Sequence, residues 1–117
     1  MASALLTRTH GTFNLVGGLW PLIGRRSFER VFGRKADRWL QQTVAGLLVA
    51  VGWAQFSAAE TKEGRRLARR LGLGTAAALL AIDLRYAPSG RIPRTYLLDA
   101  ALEAALLAAW SLDALSD

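Results

Sequence analysis

Three acidic residues, Asp83, Asp99 and Glu103, interrupt apolar stretches in the C-terminal third of the chain. Asp99 and Glu103 are four residues apart, so on a helix they lie on the same face, one turn from each other. A charged group is costly in apolar surroundings, and such residues commonly serve a function. Carboxyls in this setting can transfer protons as a general acid or base. We therefore take Glu103 and Asp99 as candidate catalytic groups and Asp83 as a candidate ligand contact.

These acids also have a purely structural interpretation. Three arginines surround the turn between the first two acids: Arg85, Arg91 and Arg94. Their long side chains could pair with Asp83 and Asp99 while reaching toward lipid head groups. Glu103 lies one turn further along the helix, so an arginine would have to reach deeper to pair with it. The sequence leaves both interpretations open.

Aromatic and amide side chains complete the candidate site. Tyr96 and Trp110 fall on roughly the helical face that holds the last two acids. Further candidate contacts for a ligand or partner are Trp53, Gln55 and Asn14. Amides in apolar helices usually hydrogen-bond across helices, and a half-polar cavity would form if they faced the carboxyls. His10 is the lone histidine, and we expect it at the membrane interface rather than as a base or ligand.

The elements that must position these residues are apolar helices. Leu40–Ala59 is twenty residues without a charge, and such a helix rises about 30 Å, the thickness of a bilayer's hydrocarbon core. Three further apolar segments run over 9–24, 71–87 and 93–115, the first of them short and interrupted by glycine and proline. We predict one all-α domain, an integral membrane four-helix bundle with basic interfacial connections. A bacterial plasma membrane is the expected location.

The connections carry the positive charge. The chain has a formal net charge of +6, and its arginines lie at the ends of apolar runs, where they meet anionic head groups. Residues 25–38 are expected to form a helix in the head-group plane with a break at Gly33. Residues 60–70 are expected to lead helically into the third segment. This arrangement argues against nucleic acid as a partner.

Small residues predict which helix faces pack. Gly46, Ala50, Ala54 and Ala58 repeat every fourth position in the second span, and alanines repeat similarly over 100–109. Such stripes let helix backbones approach closely. We expect these stripes to pack inside one bundle, with a homodimer seam as the alternative.

The sequence favours no cofactor and no metal. It has no cysteine, no glycine-rich phosphate loop, no His-Glu-x-x-His helix and no Gly-x-Ser-x-Gly turn. The leading hypothesis is a non-enzymatic membrane module whose acidic inner face engages a partner helix, a lipid or a small amphiphile. The alternatives are an enzyme that uses Glu103 or Asp99 on a lipophilic substrate, and proton or cation passage in an oligomer. Orientation and oligomeric state stay open.

Overall fold

The computed structural model describes residues 2–33, 38–90 and 92–115, and over these residues the chain is helical without a strand. The predicted all-α class is thereby confirmed. The elements, in chain order, are α1 (Ala2–Ile23), α2 (Arg25–Phe32), α3 (Arg38–Ser57), a 3₁₀ turn (Ala58–Glu60), α4 (Lys62–Tyr86) and α5 (Tyr96–Leu115).

The helix boundaries correct the predicted segments at two places. The first helix begins at Ala2 and runs 22 residues without a break, about 33 Å, because Pro21 falls in its last turn. The fourth helix begins at Tyr96 rather than at Pro93, which lies in the turn before it. By contrast, α4 starts at Lys62 as expected, capped by the Thr61 hydroxyl, which accepts a hydrogen bond from the Gly64 amide at 2.9 Å.

The basic connection after α1 forms the short helix α2, which ends at the predicted break. Gly33 has a φ of 87°, in the left-handed region that glycine enters without strain. Phe28 and Phe32 fix α2 against the end of the bundle. The Trp20 ring meets them edge-on, with centroids 5.4 and 5.9 Å away, and Phe32 also contacts Tyr96 of α5 at 4.8 Å. Residues 34–37 of this connection lie outside the described residues.

The long helices form two antiparallel pairs, α1 with α3 and α4 with α5. In the first pair Gly11 faces Gly52 so closely that a Cβ on Gly52 would lie 2.6 Å from the Gly11 carbonyl oxygen. In the second pair Gly72 lies against the Trp110 indole. These glycines let the backbones approach each other, as expected for helices that associate by close packing.

The predicted small-residue stripes are wrong as packing faces. Gly46, Ala50 and Ala54 are exposed, and so are Ala104 and Ala108. The buried face of α3 instead carries Ala45, Gly52 and Gln55, and that of α5 carries Ala100, Glu103, Trp110 and Asp113. The small residues repeat on both sides of these helices, so spacing alone did not select the packed side.

Small and polar residues share the interior of the bundle, and many large apolar side chains lie on its outside. Among the described residues, the buried hydrophobic side chains are six alanines and Trp110. Seven polar residues are buried with them: Thr7, His10, Asn14, Gln55, Asp83, Glu103 and Asp113. Twenty large hydrophobic side chains are exposed. This distribution is the reverse of the ordinary soluble core, in which Leu, Ile, Val and Phe are buried.

One helical stretch in the described part of the chain, Arg38–Glu60, is long and apolar enough to cross a membrane by length and composition. The multi-pass arrangement stays a prediction.

Candidate functional site

Three carboxyl groups meet between α4 and α5. Asp83 lies one turn before the end of α4, and Asp99 and Glu103 lie in the first two turns of α5. Because the two helices are antiparallel, these positions fall at the same level. Asp99 lies within electrostatic range of both Asp83 and Glu103. We call these three side chains the carboxyl cluster.

The carboxyl cluster is largely buried and has no ion-pair partner among the described residues. Glu103 is fully buried, Asp83 is 4% exposed, and Asp99 is half-buried. No described Lys or Arg forms an ion pair with any of the three. Neither oxygen of Glu103 nor Oδ2 of Asp83 has a hydrogen-bond partner among the residues described. Isolated acids in a dry interior are expensive, so their charge has to be compensated by protons or by a cation.

The expected arginine partners lie elsewhere. The Arg85 guanidinium sits over the Tyr86 ring, 5.5 Å from its centroid, and the side chain is exposed. Arg94 is exposed as well, and Arg91 falls outside the described residues. Among the described residues, neither Asp83 nor Asp99 therefore pairs with an arginine of this turn.

Tyr96 borders the carboxyl cluster at the end of the bundle. It is half-buried at the start of α5, three residues before Asp99, and its ring is held by Phe32 of α2. The short helix α2 therefore covers the bundle beside the acids. Asp99 is the least buried of the three.

A second polar group, which we call the His10 network, joins three helices near the opposite end. The Trp110 indole N–H donates to His10 Nδ1 at 2.9 Å, so this nitrogen carries no hydrogen and the proton of the neutral ring is on Nε2. The Asn14 amide donates to Gln55 Oε1 at 2.7 Å. The Gln55 amide nitrogen in turn lies 3.3 Å from His10 Nδ1 and 3.4 Å from the Ala68 carbonyl oxygen.

The His10 network corrects the expectation for the lone histidine. His10 is fully buried, not interfacial, because it lies one turn from Asn14 on the face of α1 that meets Gln55 and Trp110. That spacing of two polar residues on an apolar helix was the signal in the sequence. Thr7, His10 and Asn14 recur at intervals of three and four residues, and all three are buried.

The predicted site residues therefore separate into three groups. Asp83, Asp99 and Glu103 lie together with Tyr96 beside them. Asn14, Gln55 and Trp110 belong instead to the His10 network; Trp110 is seven residues from Glu103, about 10 Å along the helix axis. Trp53 is 68% exposed on the outer surface of α3 and contacts neither group.

The chemistry of the carboxyl cluster is that of protons and N–H donors. Within the described residues no set of three or more His, Cys, Asp or Glu side chains is arranged to hold a metal ion. Three clustered acceptors do suit a primary ammonium, which carries three N–H donors on one compact charge.

Comparison with known proteins adds no further constraint. No protein-family model, no curated protein and no solved structure matches the chain.

Proposed function

We propose that this chain is a non-enzymatic, multi-pass membrane protein whose carboxyl cluster binds the cationic head of a small amphiphile. The observation that carries the proposal is the buried contact of Asp83, Asp99 and Glu103 in the absence of a described cationic partner. A partner helix that inserts a lysine is the alternative form of the same chemistry.

The membrane location is supported by the reversed burial of polar and apolar side chains. Twenty large hydrophobic residues are exposed, and large contiguous apolar surfaces are rare on soluble monomers. A bilayer solvates such a surface. The interior would then be held by close backbone packing at Gly11 and Gly52 and by hydrogen bonds such as that from Asn14 to Gln55, the two forces available to helices already in lipid.

The distribution of basic residues supports the same location. Arg25, Arg26 and Arg30 lie on α2 at one end of the bundle. The first turns of α4, at the other end, hold five more basic residues: Lys62, Arg65, Arg66, Arg69 and Arg70. Cationic side chains at both ends of an apolar bundle suit the two head-group regions of a bilayer.

Binding of an ammonium group is supported by acceptor chemistry and access. The cluster offers up to six carboxyl oxygens in one buried place, and Asp99 connects it to the surface. An ammonium would replace one proton of the cluster, so that one carboxyl could ionise and accept a charge-assisted hydrogen bond while the neutral carboxyls accept hydrogen bonds through their carbonyl oxygens. The hydrocarbon tail of an amphiphile would meanwhile lie against the apolar outside of the bundle.

Catalysis and conduction receive less support. An acid–base residue must reach its substrate within hydrogen-bond distance, and of the two candidates Glu103 has no exposed surface while Asp99 is half-buried. A conductive path would have to join the carboxyl cluster to the His10 network, and the α5 residues between Glu103 and Trp110 include Leu106 and Leu107.

The membrane location is tested by extraction. We expect the expressed chain to remain in the membrane pellet after washing with alkaline carbonate and to need detergent for release. A chain that stays monomeric in buffer without detergent would contradict the location, and the acids would then need no lipid-based explanation.

The binding site is tested with dicyclohexylcarbodiimide, which adds to protonated carboxyls in apolar surroundings. In detergent micelles we expect it to modify the Glu103 or Asp99 side chain, as located by fragmentation mass spectrometry. Dodecylammonium should protect the site, whereas dodecanol, with the same tail and no charge, should not. Asp113 is the internal control, because its carboxylate is paired with Arg69 at 3.5 Å. Equal protection by both amphiphiles would refute cation binding at the cluster.

A further inference from the structure

An open groove runs along the outside of the bundle between α3 and α4. It has a volume of about 450 Å³. Its α3 side is formed by Val44, Leu47, Leu48 and Val51, and its α4 side by residues from Arg70 to Leu79. Apart from Arg70 and Thr75, the lining is aliphatic or glycine, so the groove presents hydrocarbon surface with one charge.

The groove follows from the pairing of the helices. Because α3 packs mainly on α1 and α4 mainly on α5, a shallow groove remains at the seam between α3 and α4. Gly74 contributes no side chain to this seam, and a Cβ added there would meet nothing within 4 Å. The groove is therefore a gap that a larger side chain could fill without displacing a neighbour.

Arg70 lies at one end of the groove. It is the first α4 residue of the groove and the last basic residue before an uncharged stretch over 71–82. Arg70 is exposed and has no described acidic partner, and the same holds for Arg66 one turn earlier. From Arg70 to Leu79 the helix rises about 13 Å, a length that accommodates much of one acyl chain.

We propose that this groove binds an acyl chain of an anionic phospholipid, whose phosphate pairs with Arg70. The positive charge at the end of an apolar channel matches the two parts of such a lipid, and arginine is suited to bidentate phosphate contacts. This inference rests on the membrane location proposed above, but not on the carboxyl cluster, which lies between α4 and α5.

The test uses the whole chain in dodecyl maltoside and two lipids with the same acyl chains, phosphatidylglycerol and phosphatidylcholine. Native mass spectrometry counts the lipids retained per chain. We expect phosphatidylglycerol to be retained in preference, and Arg70→Gln to lower its affinity about tenfold, the effect of losing one charge-assisted hydrogen bond. Arg26→Gln, an exposed arginine on α2, controls for the loss of one positive charge.

The groove itself is tested by Gly74→Leu, which should fill it and reduce retention of phosphatidylglycerol to a similar extent. Gly46→Leu is the matched control, because Gly46 on α3 also has no atom within 4 Å of an added Cβ and is not part of the lining. Photolabelling with phosphatidylglycerol that carries a diazirine in the acyl chain should mark peptides from 44–51 and 70–79.

The inference would be overturned by equal retention of the two lipids, by unchanged retention in Gly74→Leu, or by labelling spread evenly around the bundle. A dimer that Gly74→Leu dissociates would also overturn it, because the occupant would then be a second copy of the chain. Failure of the membrane location is separate and is seen earlier, as release of the chain by carbonate.

Discussion

The close contact between α1 and α3 allows a sharp test of how the bundle is held together. A Cβ on Gly52 would lie 2.6 Å from the Gly11 carbonyl oxygen and 2.6 Å from the Leu15 amide nitrogen, well short of the 3.4 Å at which ordinary contact begins. Both neighbours are backbone atoms of α1, so no change of rotamer relieves the clash. Gly52→Ala must therefore push α1 away from α3.

The size of the effect follows from two opposing terms. Overpacking of this kind costs about 1–3 kcal/mol, and the displacement also strains the hydrogen bond from Asn14 to Gln55. Replacing glycine by alanine within a helix gains up to about 1 kcal/mol, and this gain applies equally at Gly46, where an added Cβ meets nothing within 4 Å. We therefore expect Gly52→Ala to be about 1–3 kcal/mol less stable than Gly46→Ala.

The comparison is made on purified protein in dodecyl maltoside, unfolded by increasing mole fractions of sodium dodecyl sulfate. Tryptophan fluorescence follows separation of the helices, since Trp110 lies in the interior, and circular dichroism follows helix content. Gly46→Ala should match or slightly exceed the parent protein. Equal stability of the two variants would refute the close approach of α1 and α3 as a source of stability.

Two further substitutions test the polar interior. Glu103→Gln should leave expression and thermal stability nearly unchanged, because the new amide can donate to Asp99. The same variant should no longer be protected from carbodiimide by dodecylammonium. Equal loss of folding and binding would instead assign Glu103 a purely structural role. Gln55→Leu should lower stability by about 1–3 kcal/mol for each buried group left without a partner, with Asn14 among them. The exposed Gln42→Leu is its control, and equal thermal unfolding of the two variants would contradict a stabilising role for the network.

Helix existence and the breaks between helices were predictable because they depend on local properties of the chain. An uncharged run of twenty residues such as Leu40–Ala59 has few options other than a helix when its backbone groups must be satisfied internally. The helix break at Gly33 and the start of α4 also follow from residues at those positions. The first helix was harder, since the glycines and Pro21 suggested an irregular segment that is in fact continuous.

The face that each helix turns toward its neighbours could not be predicted from the spacing of small residues. Gly46 and Ala50 looked like a packing stripe, yet they face outward, because both sides of α3 carry small side chains. The polar residues held the better signal. On α1 the buried positions Thr7, His10 and Asn14 share one face. Where the surroundings are hydrocarbon, a polar side chain is stabilised by facing the neighbouring helices, with which it can hydrogen-bond. The positions of polar residues in the sequence therefore indicate which face of a helix is buried.

The carboxyl cluster has no ion-pair partner among the described residues, although the α4/α5 pair does hold an ion pair elsewhere. At the other end of the same two helices, Arg69 lies 3.5 Å from Asp113, which is 6% exposed. The pair therefore does compensate a buried acid when a cation is within reach. At Asp83, Asp99 and Glu103 it gathers three acids and supplies no described cation. A fold that needed these residues only for architecture could gain by replacing them with apolar side chains of similar volume, so their grouping supports the proposed binding of a cation from outside the chain.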